Sequence, residues 1–305
     1  MEKFAKGLVQ RLKDRAEPGV EVQLNEVTKV NDQKFHAINI VRPDERISRL
    51  FYLEMYHQSY LNDGVSLEEI ADDILKTYQE NNELSTIGID SVNRIWEYET
   101  VKSKIIVKLI NKDRNNQYLQ DKVYVNYLDL AVCFCLMLEQ PDEVMASIAV
   151  TKELFSRWEI SLEELYSDAM ENMNRMFPAR ITSFYDILSE IYSEFGNDSF
   201  AEIMNPPKVL DDIGMYIISN ERKVNGAATL LCKDLIRQFA EKHQVEKVYI
   251  IPSSVHELIL IPDSSMVEIE SLNEMVVSVN TTVMSPMEIL SDHVYVYVYE
   301  KDEIQ

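Results

Sequence analysis

Glycine is scarce in this chain, with 7 among 305 residues, and none falls in a GxGxxG or GxxxxGK[ST] run. Loops that cradle phosphates need such glycines, so the usual nucleotide-binding signatures are missing. HExxH and GxSxG are missing too, which removes the common zinc-protease and serine-hydrolase signatures. Only three cysteines occur, Cys133, Cys135 and Cys232, with no CxxC pair, so neither a disulfide framework nor a metal site is expected. Cys133 and Cys135 alternate with Val132 and Phe134 along an apparent strand and read as small buried thiols. The longest apolar run, Leu130-Ala-Val-Cys-Phe-Cys-Leu-Met-Leu138, is far short of the roughly 20 residues that span a bilayer. Met1 to Gln10 lacks the apolar core and small-residue pattern of a secretion signal, so a cytoplasmic, membrane-free location is expected.

Positive charge is the last deficit. Thirty Lys and Arg stand against fifty-two Asp and Glu, a formal net charge of −22. Such a surface repels phosphates, so direct binding to nucleic acid or to an anionic membrane is not expected. The acids come in short dispersed clusters, Glu68-Glu69 with Asp72-Asp73, Glu163-Glu164 and Asp211-Asp212, a pattern typical of solvated helix faces.

What is present is a mixture of helical and strand periodicities. Phe4, Leu8 and Leu12 predict an amphipathic helix over residues 2–16, ended by Pro18-Gly19. Alternation in Val20–Val27 and Phe35–Val41, around Asn31-Asp32, predicts a hairpin; His36 lies on its second strand as a half-buried polar residue. Tyr52, Tyr56 and Tyr60 repeat at helical spacing and read as core lining. Ser66 with Glu69, and Ser161 with Glu164, are capping boxes that start two helices. Further helices are expected over 91–111, 180–195, 233–243 and 272–280. Strands are expected over 123–137, 146–151, 214–219, 226–231, 248–251, 258–261 and 294–299. His57 has no partner at metal-ligand spacing, and His243, at a helix end, is placed to complement the helix dipole. The fold class is α+β, antiparallel hairpins backed by helices, with a recurring strand-strand-helix unit at 123–173, 214–243 and 248–280. Met204-Asn-Pro-Pro-Lys208 is the best boundary, giving lobes 1–203 and 208–305.

The stretch Val248 to Pro262 comes nearest to a chemical signature: two apolar runs around Pro252-Ser253-Ser254, with His256 and Glu257 just after. Side chains alternate across a strand, so His256 and Glu257 face apart if both lie on it. Ser254 and His256 share a face but are too far apart for a nucleophile–base hydrogen bond unless the turn bends sharply. The structural reading of this turn is therefore favoured. A hydrolase site there needs a carboxylate or serine brought to His256 from 220–225 or 280–285. Asn111, Asn115 and Asn116 around Arg114 read as loop and capping residues, with ligand binding the sharper alternative.

Several words of the sequence resemble an uncharacterised Firmicutes family, domain of unknown function 5688. They are Leu109-Ile-Asn-Lys-Asp-Arg-Asn115, Leu128-Asp-Leu-Ala-Val132, Trp158-Glu-Ile-Ser161 with Leu165-Tyr and Ala169-Met-Glu-Asn172, Pro252–Glu257, and Leu272–Asn280. The resemblance spans most of the chain and implies no activity, cofactor or catalytic residue. It does mark Asn111, Asn115, Trp158, Asn172 and Ser253 as candidate binding residues, beside Ser254, His256 and Glu257 as catalytic candidates.

Three functions fit these readings. The first is a non-catalytic protein-interaction module with a protein partner and no cofactor; Tyr295, Tyr297 and Tyr299 on one strand face could serve as its contact surface, although a sheet face covered by its own helices is the favoured reading of that row. The second is an acidic nucleic-acid mimic that occupies a basic enzyme, which needs carboxylates aligned at phosphate spacing. The third is a hydrolase centred on Pro252–Glu257.

Overall fold

The computed structural model describes residues 1–42, 49–80, 94–138, 146–187, 214–263 and 268–305. It divides into two compact units, Met1–Thr100 and Val101–Gln305. The expected boundary at 204–208 lies outside the described residues. A break there would cut one continuous sheet of the second unit, whose strands come from both sides of it.

In the first unit, α1 (Glu2–Arg15), α2 (Leu53–Asn62) and α3 (Leu67–Glu80) accompany a three-stranded antiparallel sheet, β1 (Glu21–Thr28), β2 (Lys34–Val41) and β3 (Arg49–Tyr52). Phe4, Leu8 and Leu12 of α1 meet Val22, Ile38 and Ile40 of the sheet and Ile70 and Ile74 of α3, as the two periodicities require. Asn31 and Asp32 turn the hairpin with φ of 58° and 50°, left-handed values that asparagine and aspartate tolerate. The Ser66 box closes in both directions: the Glu69 N–H donates to Ser66 Oγ at 3.2 Å, and the Ser66 N–H donates to Glu69 Oε2 at 2.8 Å. The other acids of that cluster are engaged as well. Glu68 pairs with Arg11, Asp72 with Arg15, and Asp73 accepts from the Tyr56 hydroxyl.

The second unit holds two sheets. In one, β6 (Leu130–Leu138) pairs with β4 (Ile105–Asn111) along one edge, and with β5 (Tyr124–Tyr127) and β7 (Ala146–Ala149) along the other. The other sheet is six-stranded, in the order β13 (Glu303–Ile304), β12 (Tyr295–Val298), β10 (Lys247–Ser254), β11 (Glu257–Pro262), β9 (Tyr216–Asn220), β8 (Ala179–Ser183). Every ladder among the described residues is antiparallel. After the short α4 (Tyr98–Val101) come α5 (Lys152–Trp158), α6 (Leu162–Met176), α7 (Lys233–His243) and α8 (Ile269–Thr282). Ser161 caps α6, its hydroxyl accepting from the Glu164 N–H. The class is α+β with antiparallel sheets, as the sequence predicts.

Several elements differ from expectation; the strand expected over 123–137 is two, β5 and β6, joined by a turn at Leu128-Asp129. The segment read as a helix over 91–111 contains β4, a strand buried on both faces. A short apolar run buried on both sides has no period of two, so it mimics a helical segment. Residues 179–183, at the start of the expected helix 180–195, are the strand β8; residues 184–187 are helical and the rest lies outside the described residues. Gly226–Leu231 is a 3-10 helix rather than a strand, so the middle strand-strand-helix unit is not formed as expected.

Candidate functional site

The Pro252–Glu257 turn is built differently from the sequence reading. β10 continues through Pro252 to Ser254, with a register shift between Ile251 and Ser254, and Val255-His256 form the turn. A bulge is one of the few sheet positions that tolerates proline. The Ser254 hydroxyl accepts the His256 N–H at 3.0 Å. The His256 ring does receive a partner from 220–225, but it is the Asn225 backbone N–H, which donates to Nδ1 at 3.2 Å. The Ser219 hydroxyl donates to the His256 carbonyl at 2.7 Å, and Ser253 Oγ lies 3.5 Å from Glu257 Oε1. These bonds bind the turn to the loop after β9. They hold His256 as a backbone acceptor, not as a base facing a nucleophile.

The asparagines from the family-like words act in the same way. Asn172, on α6, donates to the carbonyls of Lys102 and Ile105. Asn115 donates to the Asn111 carbonyl, and Asn111 Oδ1 accepts the Arg114 N–H. Asn116 donates to the Asp113 carbonyl, the loop role expected of it. Trp158 ends α5 and is buried. Each of these side chains joins or terminates elements, and a buried carbonyl without such a donor is costly.

The structure assembles a different polar centre, around Asp129. This residue follows Leu128, whose φ is 54°, at the turn between β5 and β6. Its carboxylate accepts from the Tyr295 hydroxyl at 2.6 Å, the buried Ser291 hydroxyl at 2.8 Å and Asn111 Nδ2 at 3.3 Å. His293 adds Nε2 at 3.7 Å, while its Nδ1 sits 3.3 Å from Ser291 Oγ. Beside it, Asp292 pairs with Arg114 at 2.6 Å and accepts from Asn280 Nδ2 at 2.9 Å. Burial pushes the Asp292 carboxyl up, but Arg114 and Asn280 outweigh it and hold the group below the usual aspartate value. Sequence reading missed this centre, although the run Ser291-Asp-His-Val-Tyr295, polar and placed before an aromatic strand, was its visible trace.

Serine, histidine and aspartate meet here without the wiring of a catalytic triad. In a triad the histidine lies between the other two and takes the serine proton. Here Ser291 donates directly to Asp129, and the hydroxyl is buried. The arrangement is a hub that ties β4, the β5–β6 turn and the 290–295 segment together. Asn280 and Asn273 then hang α8 on that segment, through the Ser291 carbonyl and the Val294 N–H.

Tyr295 and Tyr297 are buried, in keeping with the favoured reading of a covered sheet face and against the contact-surface alternative; of that row only Tyr299 is exposed. Burial, then the bond to Asp129, drives the Tyr295 hydroxyl well above the ordinary tyrosine value. Burial raises Tyr118 likewise and pushes Tyr127 up to about 12. A raised pKa means that the fold keeps a proton which the unfolded chain releases above about pH 10. The stabilisation is complete below that pH and is lost as pH rises toward the folded values. The Val101–Gln305 unit is therefore expected to unfold in alkali above about pH 10, with tyrosinate absorbance appearing together with the loss of near-UV circular dichroism. Tyrosinate absorbance reaching its full value, buried tyrosines included, while the fold stays intact would refute the burial argument. Burial also pushes the Cys133 thiol up to about 12, as a core cysteine requires. At the end of α7, burial against Phe239 and Tyr216, then the neighbouring Lys242, lowers the His243 pKa, which works against the charge that a dipole role needs.

One surface feature stands apart. On α8, Met275 and Val279 fall in line at i and i+4, with Val283 just past the helix end, and the three are exposed at 46%, 40% and 76%. The adjoining side of α8 packs Val276 against Ile251, Ile261 and Val294, so the exposed row borders the core. From Val248 to Glu300 the sequence has no lysine or arginine, while Glu270, Glu274 and Glu288 lie on or just after this helix. Met55 and Leu61, exposed on α2, fall on different sides of their helix and form no such line.

Fold and centre define an acidic α+β protein whose polar residues serve chiefly to join its elements, with one helix face left apolar and open. The chain belongs to the Family of unknown function (DUF5688), whose model matches residues 1–299. No curated protein and no solved structure matches it. Among the described residues no helix is long and apolar enough to cross a membrane, and no group of three or more His, Cys, Asp or Glu is placed to hold a metal ion.

Proposed function

We propose that the protein is a non-catalytic protein-interaction module of the cytoplasm, with the outer face of α8 as its contact surface. The observation that carries this reading is the line Met275, Val279, Val283, exposed on an otherwise strongly charged molecule. Exposed apolar side chains are ordinary when scattered and informative when contiguous. Support also comes from the polar groups, which are committed to internal bonds at both the Asp129 hub and the His256 turn.

A nucleic-acid mimic is the second reading, favoured by the charge of −22. Against it, the acids at 68, 69, 72 and 73 are each engaged by a neighbouring side chain or backbone group, not presented as a free row.

Affinity capture from the native host tests the first reading, using wild type and a Val279→Lys, Val283→Lys double variant. A partner held by wild type and lost by the variant, with the thermal midpoint unchanged, is the expected result. No reproducible partner, or one indifferent to the substitutions, would falsify it.

A further inference from the structure

We infer that the α8 face receives a cationic amphipathic helix of another protein, one whose apolar residues lie in a single stripe flanked by lysine or arginine. This rests on the contact-surface reading above and adds the chemistry of the partner. The apolar part follows from geometry. Met275 and Val279 form an i, i+4 ridge, the row that packs into the groove of a second helix, and Val283 extends the apolar surface just past the helix end. Ser278 and Thr282 beside the ridge are short and exposed, so a partner backbone can come close.

The cationic part follows from what surrounds the ridge. Glu270 and Glu274 lie on the same helix and Glu288 follows it, while the chain supplies no lysine or arginine anywhere from Val248 to Glu300. Arg114, brought beside this region by the fold, is taken by Asp292. The acids on α8 are therefore left without a cation from their own stretch of chain, and a partner with a basic rim would complement them. The same charges disfavour a second copy as the occupant. Two copies meeting face to face would oppose Glu270, Glu274 and Glu288 with their equivalents, on molecules that each carry −22. An apolar ridge alone suits either occupant; the charge selects between them.

Three fluorescein-labelled helical peptides test this by fluorescence anisotropy: leucines at i, i+4 and i+8 flanked by lysines, the same leucines flanked by glutamates, and lysines with serines replacing the leucines. The lysine–leucine peptide is expected to bind at least about tenfold tighter than either other peptide, a difference of about 1.4 kcal/mol. Val279→Ser, which leaves the charge unchanged, should weaken it by about tenfold, and the pair Glu270→Gln, Glu274→Gln should weaken it and flatten its salt dependence. Equal binding of the two leucine peptides would overturn the inferred rim while leaving the contact surface standing. Equal binding of both lysine peptides, unaffected by Val279→Ser, would reduce the interaction to diffuse charge and overturn the inference. If no peptide binds and sedimentation shows a dimer that Val279→Ser disperses, the occupant is a second copy and the inference fails.

Discussion

Replacing Asp129 by alanine is expected to destabilise the Val101–Gln305 unit by about 4–5 kcal/mol, since unpaired buried donors cost about 1–3 kcal/mol each. The substitution removes the acceptor shared by three donors: the Tyr295 hydroxyl, the Ser291 hydroxyl, which keeps only His293 Nδ1 at 3.3 Å, and Asn111 Nδ2, which keeps only the Leu290 carbonyl. Two of these belong to residues with almost no solvent contact, so water reaches them poorly. The bonds are also made to a carboxylate, which makes them stronger than neutral ones. Asp129→Asn keeps one acceptor oxygen and the shape, and should recover roughly half of the loss. Tyr295→Phe removes a single donor together with its need for a partner, and should cost about 1 kcal/mol. Urea unfolding followed by near-UV circular dichroism would measure all three. A loss below about 1 kcal/mol for Asp129→Ala would mean that water replaces the carboxylate, and that the hub does not join these elements.

The second large effect is expected at Gly226, where the 3-10 helix begins. A Cβ there would collide with the Ser219 hydroxyl and the His256 carbonyl, and come within 3.1 Å of the Asn220 nitrogen. Two of these are backbone atoms fixed by the sheet, so no rotamer change relieves the overlap. The Ser219–His256 bond, at 2.7 Å, occupies the space the methyl would need. Gly226→Ala is therefore expected to cost about 3 kcal/mol, the upper part of the range for overpacking. The backbone angle is not the obstacle, because this glycine does not lie in the left-handed region. Ser219→Ala should ease the clash, so the double variant is expected to lose less than the sum of the two single changes. Additive losses would place the strain elsewhere.

The sequence made legible those elements whose pattern is set by a one-sided environment. α1 shows its core face through Phe4, Leu8 and Leu12, and the β1–β2 hairpin alternates because only one face is well buried. The Ser66–Glu69 box and the Ser161 cap were visible because their partners are three residues apart. β4 was not, since burial on both faces erases the alternation that would mark a strand. The 3-10 helix at Gly226–Leu231 was hidden for a similar reason: small and apolar residues, buried throughout most of their length, carry no period. The candidate site shows the same limit more sharply. His256 and Ser254 attracted attention because they are neighbours in sequence, and their bonds proved to belong to the turn. The hub around Asp129 draws Asn111 and Ser291 from distant parts of the chain, and local spacing cannot report that.

That distance has a consequence for how the protein is made. Asp129 is separated from Ser291 by 162 residues and from Tyr295 by 166. At a synthesis rate of about 5–20 residues per second, its hydroxyl partners leave the ribosome roughly ten to thirty seconds after it does. Throughout that interval the carboxylate lacks both hydroxyl donors and has only Asn111 and water to bond with, and the apolar strands β4 and β6 lack the segment that fastens over their end. β10 waits as well, because one of its edges stays open until β12 arrives. Contacts this far apart slow folding, and open edges invite pairing with other chains. A nascent chain stalled anywhere between Asp129 and Tyr295 is thus a species with exposed strand edges and an unfinished hub, open to pairing with other chains until residues 291–298 are in place.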